Sequence, residues 1–137
     1  MPDVGFTHIA LPVSNLDASL AFYETYAGMR PVHRRTSLSD PTKRVAWISD
    51  NTRPFVIVLL EVDEVQPILS PFAHLGVACA TLEALEALCD TARAEGVLGK
   101  EPTDSGPPVG VWAFLTDPDG HTLELSYGQE VGTTVQR

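Results

Sequence analysis

Two histidines and one glutamate stand out in this sequence by type and spacing. His8 lies in Thr7-His8-Ile9-Ala10, and His74 lies 66 residues further on in Ala73-His74-Leu75-Gly76. Glu124 sits between Leu123 and Leu125, shortly after Asp117-Pro118-Asp119-Gly120. Asp-Pro and Asp-Gly are turn-forming pairs, because Pro presets φ and Gly accepts the left-handed conformation that closes the turn. The segment after the turn alternates, so His121, Leu123, Leu125 and Tyr127 share one strand face and Thr122, Glu124 and Ser126 the other. A carboxylate between two leucines needs solvent, a cation or a metal, since an unpaired buried charge costs several kcal/mol. Two imidazoles and a carboxylate, each from a different strand, make a facial triad that binds a divalent transition metal and leaves positions open for water or substrate. His33 and His121 have no repeat partner, and His121 reads as structural or surface.

The elements that must position these residues form a repeat. Phe6 to Val13 alternates as a strand, with Phe6, His8 and Ala10 on one face. Ser14-Asn15-Leu16-Asp17 then supplies a helix start, with Ser or Asn as the cap. Leu16, Leu20, Tyr23 and Ala27 recur at helical spacing and Gly28 is placed to end the helix. Strands are expected at 29–36, 44–49 and 54–62, with a loop at 37–43. A connector at 65–71 carries two prolines, and the programme restarts: strand 72–80, a helix from Leu82 to about Glu95 capped by Thr81, a Gly- and Pro-rich loop or lid at 98–110 around at most a short strand, strand 111–116, the turn, and the Glu124 strand. Residues 129–137 read as a poorly ordered tail. At the same 66-residue offset Leu16 meets Leu82, Ala18 meets Ala84 and Ala21 meets Ala87. The expectation is an α+β domain of two βαβββ modules, about 4–64 and 72–128, related by a pseudo-twofold and enclosing a cavity.

The totals restrict the partners. The chain has 137 residues, 44% of them hydrophobic, and a net charge of -9. That charge argues against nucleic-acid binding, which needs a positive surface to displace counterions. No apolar run is long enough to span a bilayer, and no signal peptide is evident. Cys79 and Cys89 show no disulfide pattern, which suits reduced core residues in a cytoplasmic protein. Five basic residues, Arg30, Arg34, Arg35, Lys43 and Arg44, cluster over positions 30–44, either as a solvated edge or as local attraction for an anionic substrate. Arg35 and Arg44 are candidates to grip that anion. Trp47, Phe55, Trp112 and Phe114 are candidates to line the cavity.

On Thr7-His8-Ile9-Ala10-Leu11 with Leu16 to Tyr23, Ala73-His74-Leu75-Gly76-Val77, and Asp117 to Glu124, the chain resembles the vicinal oxygen chelate superfamily. That superfamily includes glyoxalase I, fosfomycin-resistance thiol transferases, bleomycin-resistance proteins and extradiol dioxygenases. The resemblance implies a single-domain member, commonly a homodimer, with one divalent ion (Fe, Mn, Ni, Zn or Co) on His8, His74 and Glu124. It also implies an enzyme of the lyase or isomerase kind acting on a small oxygenated molecule chelated to the metal. The fourth ligand of glyoxalase I falls by the repeat at Val58, which is apolar. Glu61 has the opposite strand parity and could serve only through a bulge. Extradiol dioxygenases usually carry Tyr where this chain has Phe114, which argues against ring cleavage. The general base is unassigned, with Glu61 and Glu101 as candidates. The alternatives are a metal-free drug-binding protein of the bleomycin-resistance kind, a thiol transferase and an extradiol dioxygenase.

Overall fold

The computed structural model describes residues 2–136. The chain divides into two compact units, Met1–Gln66 and Pro67–Arg137.

In the first unit β1 (His8–Val13) leads into α1 (Leu16–Ala27), followed by β2 (Arg30–Thr36), β3 (Arg44–Ser49) and β4 (Val56–Glu61). The four strands form one sheet in the order β1-β4-β3-β2, with β1 parallel to β4 and the other pairs antiparallel. Asn15 is the helix cap, accepting from the Ala18 N–H at 3.1 Å, and Gly28 ends the helix at φ 64°. Leu11, Val13, Ile48, Ile57 and Leu59 are buried on the sheet, with Leu16, Phe22, Tyr23 and Tyr26 buried on the helix. The strand parity expected around His8 holds: Leu11 and Val13 are buried, while His8 and Ala10 are exposed on the other face.

The second unit repeats the plan. β5 (Leu75–Ala78), α2 (Leu82–Ala94), β6 (Leu98–Asp104), β7 (Val111–Thr116) and β8 (Thr122–Tyr127) give a sheet in the order β5-β8-β7-β6. Thr81 caps α2 through the Ala84 N–H at 3.0 Å. Leu85, Cys89 and Ala92 are buried on the helix, and Ala113, Leu115, Leu123 and Leu125 on the sheet. Both cysteines are free thiols. The fold class is α+β, two βαβββ modules, as expected.

Three expectations need correction. The strand expected at 72–80 is only Leu75–Ala78, and Phe72 is fully exposed in a turn before it. The segment expected as a loop or lid is a seven-residue edge strand, β6, and the loop shrinks to 105–110. An edge strand tolerates Gly99 and Pro102 because its outer hydrogen bonds are not needed, and register shifts flank both residues. The tail carries a one-turn helix, α3 (Val131–Val135), held to the loop by Glu130 N–H donating to the Pro108 carbonyl at 2.9 Å.

Candidate metal centre

In the second unit, Glu124 lies in register between Gly76 on β5 and Phe114 on β7. The absence of a side chain at Gly76 leaves room above the carboxylate: a Cβ there would lie 3.5 Å from Glu124 Oε2. His74, one residue before β5, brings its Nε2 to 3.8 Å from Glu124 Oε1. Its Nδ1 lies 3.0 Å from the main-chain carbonyl of Pro71. A carbonyl only accepts, so Nδ1 carries the proton and, in the neutral ring, the Nε2 lone pair is left facing Glu124. The Phe114 ring packs on the imidazole at 5.0 Å between centroids, Trp112 packs on Phe114 at 4.9 Å, and Lys100 Nζ lies 5.8 Å from the Trp112 ring. Trp112 Nε1 donates to Ser105 Oγ at 2.9 Å, fixing the indole.

This pair fits a divalent ion. Metal-bound histidines characteristically donate their second ring nitrogen to a carbonyl or carboxylate, which sets the tautomer and orients the ring. Two adjacent ligands on one ion at about 2.1 Å lie about 3.0–3.4 Å apart, so the 3.8 Å separation needs only a small side-chain adjustment. The Glu124 side chain is 12% exposed, and among the described residues no hydrogen bond reaches it. A carboxylate so placed, with little solvent and no protein donor, favours a cation beside it.

His8, at the repeat-equivalent position in the first unit, is exposed on the face of its sheet opposite α1. Its Nδ1 lies 3.0 Å from Thr7 Oγ1, a hydroxyl that can donate or accept, so its tautomer is not fixed as that of His74 is. Among the described residues no three His, Cys, Asp or Glu side chains gather into one metal-sized group. Two of the three expected ligands therefore meet within the second unit, and the third stands on the first.

His8 borders a cavity of about 480 Å³ within the first unit, which Trp47, Phe55, Val56 and Val58 also line. His33 packs edge-on against Trp47 at 4.9 Å. Arg35 pairs with Val45 across the strands and is exposed, its Nη1 donating to the Thr36 carbonyl at 3.0 Å.

Arg44, expected as a substrate-binding residue, is engaged elsewhere. Its Nη2 donates to Glu61 Oε2 at 2.9 Å and its Nη1 to Asp17 Oδ2 at 3.2 Å. Glu61 also accepts from the Leu16 N–H at 3.1 Å, at the start of α1. The Arg44 side-chain hydrogen bond, with the main-chain N–H groups of Leu16 and Arg44, holds the pKa of the Glu61 carboxyl at about 2. Val58 pairs with Ala10 as Glu124 pairs with Gly76, so the repeat leaves a valine at the fourth-ligand position. β4 runs without a register shift as far as Glu61, so no bulge turns Glu61 to the other face. Glu101 likewise is paired, accepting from Arg93 Nη2 at 2.6 Å. His121 is fully buried, with Nδ1 accepting from the Leu69 N–H at 3.4 Å, which pins the connector.

Residues 5–125 match the family model of the Glyoxalase/Bleomycin resistance protein/Dioxygenase superfamily. The chain belongs to that superfamily. An uncharacterized protein of Pseudomonas aeruginosa is 36% identical over 129 residues, covering 92% of this chain and 90% of the relative. Among solved structures, the fosfomycin resistance protein FosX of Listeria monocytogenes, in complex with Mn(II) and 1S,2S-dihydroxypropylphosphonic acid, superposes with a TM-score of 0.70 at 19% identity, covering 98% of this chain and 99% of FosX. Glyoxalase I of Zea mays gives a TM-score of 0.67 at 26% identity over 88% of this chain but only 43% of the maize chain. A possible glyoxalase of Bacillus cereus gives 0.66 at 22% identity, covering 90% and 99% of the two chains. For this superfamily member, sequence reasoning overlooked Ser49, Asn51 and Arg53, which line the cavity beside His8. They fall in and beside a segment that reads as an ordinary turn, and only the curl of the backbone brings them to the cavity.

Proposed function

We propose that this protein is a divalent-metal-dependent enzyme in which His8, His74 and Glu124 hold one ion of iron, manganese, nickel, zinc or cobalt, and that it acts on a small oxygenated substrate as a cytoplasmic homodimer. The observation that carries this reading is Glu124, a mostly buried carboxylate 3.8 Å from an imidazole whose second nitrogen is tied to a main-chain carbonyl. The bound ion would supply Lewis-acid polarisation of substrate oxygens. Pro71 holds the Nδ1 proton of His74, Phe114 fixes the imidazole plane, and Gly76 keeps the space above Glu124 clear.

Lyase or isomerase chemistry fits these residues better than ring cleavage, because Phe114 offers no hydroxyl beside the site. The apolar Val58 and the ion-paired Glu61 favour three protein ligands over four. The FosX complex, which holds Mn(II) and 1S,2S-dihydroxypropylphosphonic acid, supports the reading of a divalent ion and an oxygenated small molecule on this fold.

The test is metal content. Protein stripped with chelator and titrated with each of the five metals should take up one ion per chain for at least one of them, and His74→Ala should not. Failure of all five to bind would leave a metal-free drug-binding protein as the better account.

A further inference from the structure

The cavity beside His8 has a composition that the metal reading does not use. Its floor is apolar: Val32, Trp47, Phe55, Val56 and Val58. At its polar side stand Ser49, Asn51 and Arg53. Arg53 forms no ion pair among the described residues, its Nε donating only to Thr52 Oγ1 at 3.4 Å. Arg34, Arg35 and Lys100 likewise form no ion pair among the described residues, so what sets Arg53 apart is its place on the cavity wall. The acid closest in sequence, Asp50, is already held by the Thr52 hydroxyl at 2.6 Å and the Thr52 N–H at 3.0 Å.

Ser49 is 6% exposed and its oxygen accepts from the Asn51 N–H at 3.0 Å. Its own hydroxyl proton has no acceptor among the described residues and is free to be donated into the cavity. Asn51 holds φ 61°, the one positive φ at a non-glycine among the described residues. That turn sets the Asn51 side chain and Arg53 on the cavity wall. Asp3 is the one carboxylate among the residues lining the cavity.

We infer that this cavity is a binding subsite for an amphipathic monoanion, a carboxylate or phosphonate carrying a small apolar group. The apolar group lies on Trp47 and Phe55, and the anionic head is met by Arg53 and the Ser49 hydroxyl. The volume, about 480 Å³, lies within the range of small-molecule pockets, roughly 300–1,000 Å³. A cation outside any ion pair, placed beside an unused hydroxyl donor, is an arrangement that recognises an anion, with Asp3 on the same wall and Asp50 within electrostatic reach as the opposing charges. The inference rests on the proposed function only in making this anion the substrate. The cavity lies within one unit and needs no metal to bind.

The experiment uses chelator-stripped full-length protein carrying Trp112→Phe, so that emission reports Trp47 alone. Benzoate and phenylphosphonate are titrated against the neutral isostere benzamide. At least one anion should quench saturably, and it should bind about tenfold or more tighter than benzamide. Arg53→Gln should abolish that preference and leave benzamide binding unchanged. Asp3→Asn, which removes the opposing charge, should tighten the anion. Arg53 is exposed, and matching far-ultraviolet circular dichroism will show that the variant is folded. Equal affinity for anion and amide, no quenching by any of them, or an anion preference that survives Arg53→Gln overturns the inference. Metal uptake, measured on the parent protein with Trp112 in place, separates the two readings. Anion-selective quenching in a protein that takes up no metal supports the subsite and removes the metal enzyme.

Discussion

His74 faces Glu124 with Nε2 at 3.8 Å from Oε1, while its Nδ1 is committed to the Pro71 carbonyl at 3.0 Å. The imidazole is thus oriented from behind by the backbone and presents its free lone pair towards a carboxylate that lacks a donor. A lone pair and an anion do not attract each other. The arrangement makes sense when a cation stands between them or when the imidazole itself is protonated.

Glu124→Gln separates function from stability. The amide keeps the shape and removes the buried charge, so metal affinity should fall by well over the roughly 10–100-fold that follows loss of an outer-shell partner. In chelator the same variant should be as stable as the parent or about 0.5–2 kcal/mol more stable, because an uncompensated carboxylate has gone. Calorimetric metal titration and denaturant unfolding check the two halves.

Gly76 should accept alanine but not a branched side chain. A Cβ at this position makes ordinary contact with Glu124 Oε2 at 3.5 Å, so Gly76→Ala should keep both fold and metal uptake. Gly76→Val places methyl groups against the carboxylate and should weaken metal binding about tenfold or more through displacement of the ligand. A Gly76→Val protein with unchanged metal affinity would remove the steric role given to this glycine.

The Glu61–Arg44 pair predicts an acid-dependent stability. The folded carboxyl titrates at about 2 against an ordinary value of 4.5, so its contribution is complete above pH 4.5 and fades as pH falls from there through about 2. Glu61→Gln should therefore lower the unfolding midpoint at pH 7, and the gap to the parent should narrow below pH 4.5. Urea melts at pH 7, 5, 4 and 3 measure it; a gap that stays constant down to pH 3 would assign the effect to packing.

His121→Leu should cost about 1–3 kcal/mol, since the buried Leu69 N–H loses its acceptor without gaining another. Proteolysis within 65–71 should become faster, because that hydrogen bond holds the connector to the second unit. Hydrogen exchange at the Leu69 amide gives a direct reading.

Much of the fold was legible from local chemistry. Asn15 and Thr81 announce the helices by their caps, Gly28 by its left-handed stop, and the alternation around His8 assigns its faces correctly because strand period is a property of the backbone, whereas β8 is buried on both faces. The errors came where tertiary surroundings overrule composition. Gly99 and Pro102 suggested a loop at 98–110, but at a sheet edge bulges absorb both residues and pairing with β7 survives.

The candidate residues divide the same way. The sequence by itself determined that His8 and His74 are repeat-equivalents and that Val58 replaces a possible fourth ligand, because both follow from a constant offset along the chain. Only the tertiary structure decided that Pro71 orients His74, that Arg44 and Glu61 satisfy each other at the start of α1, and that Arg53 lines the His8 cavity outside any ion pair. Those outcomes depend on which side chains come within a few ångströms across strands and turns, and the distances are set by sheet register and loop curvature. Neither is encoded in residue type at a single position.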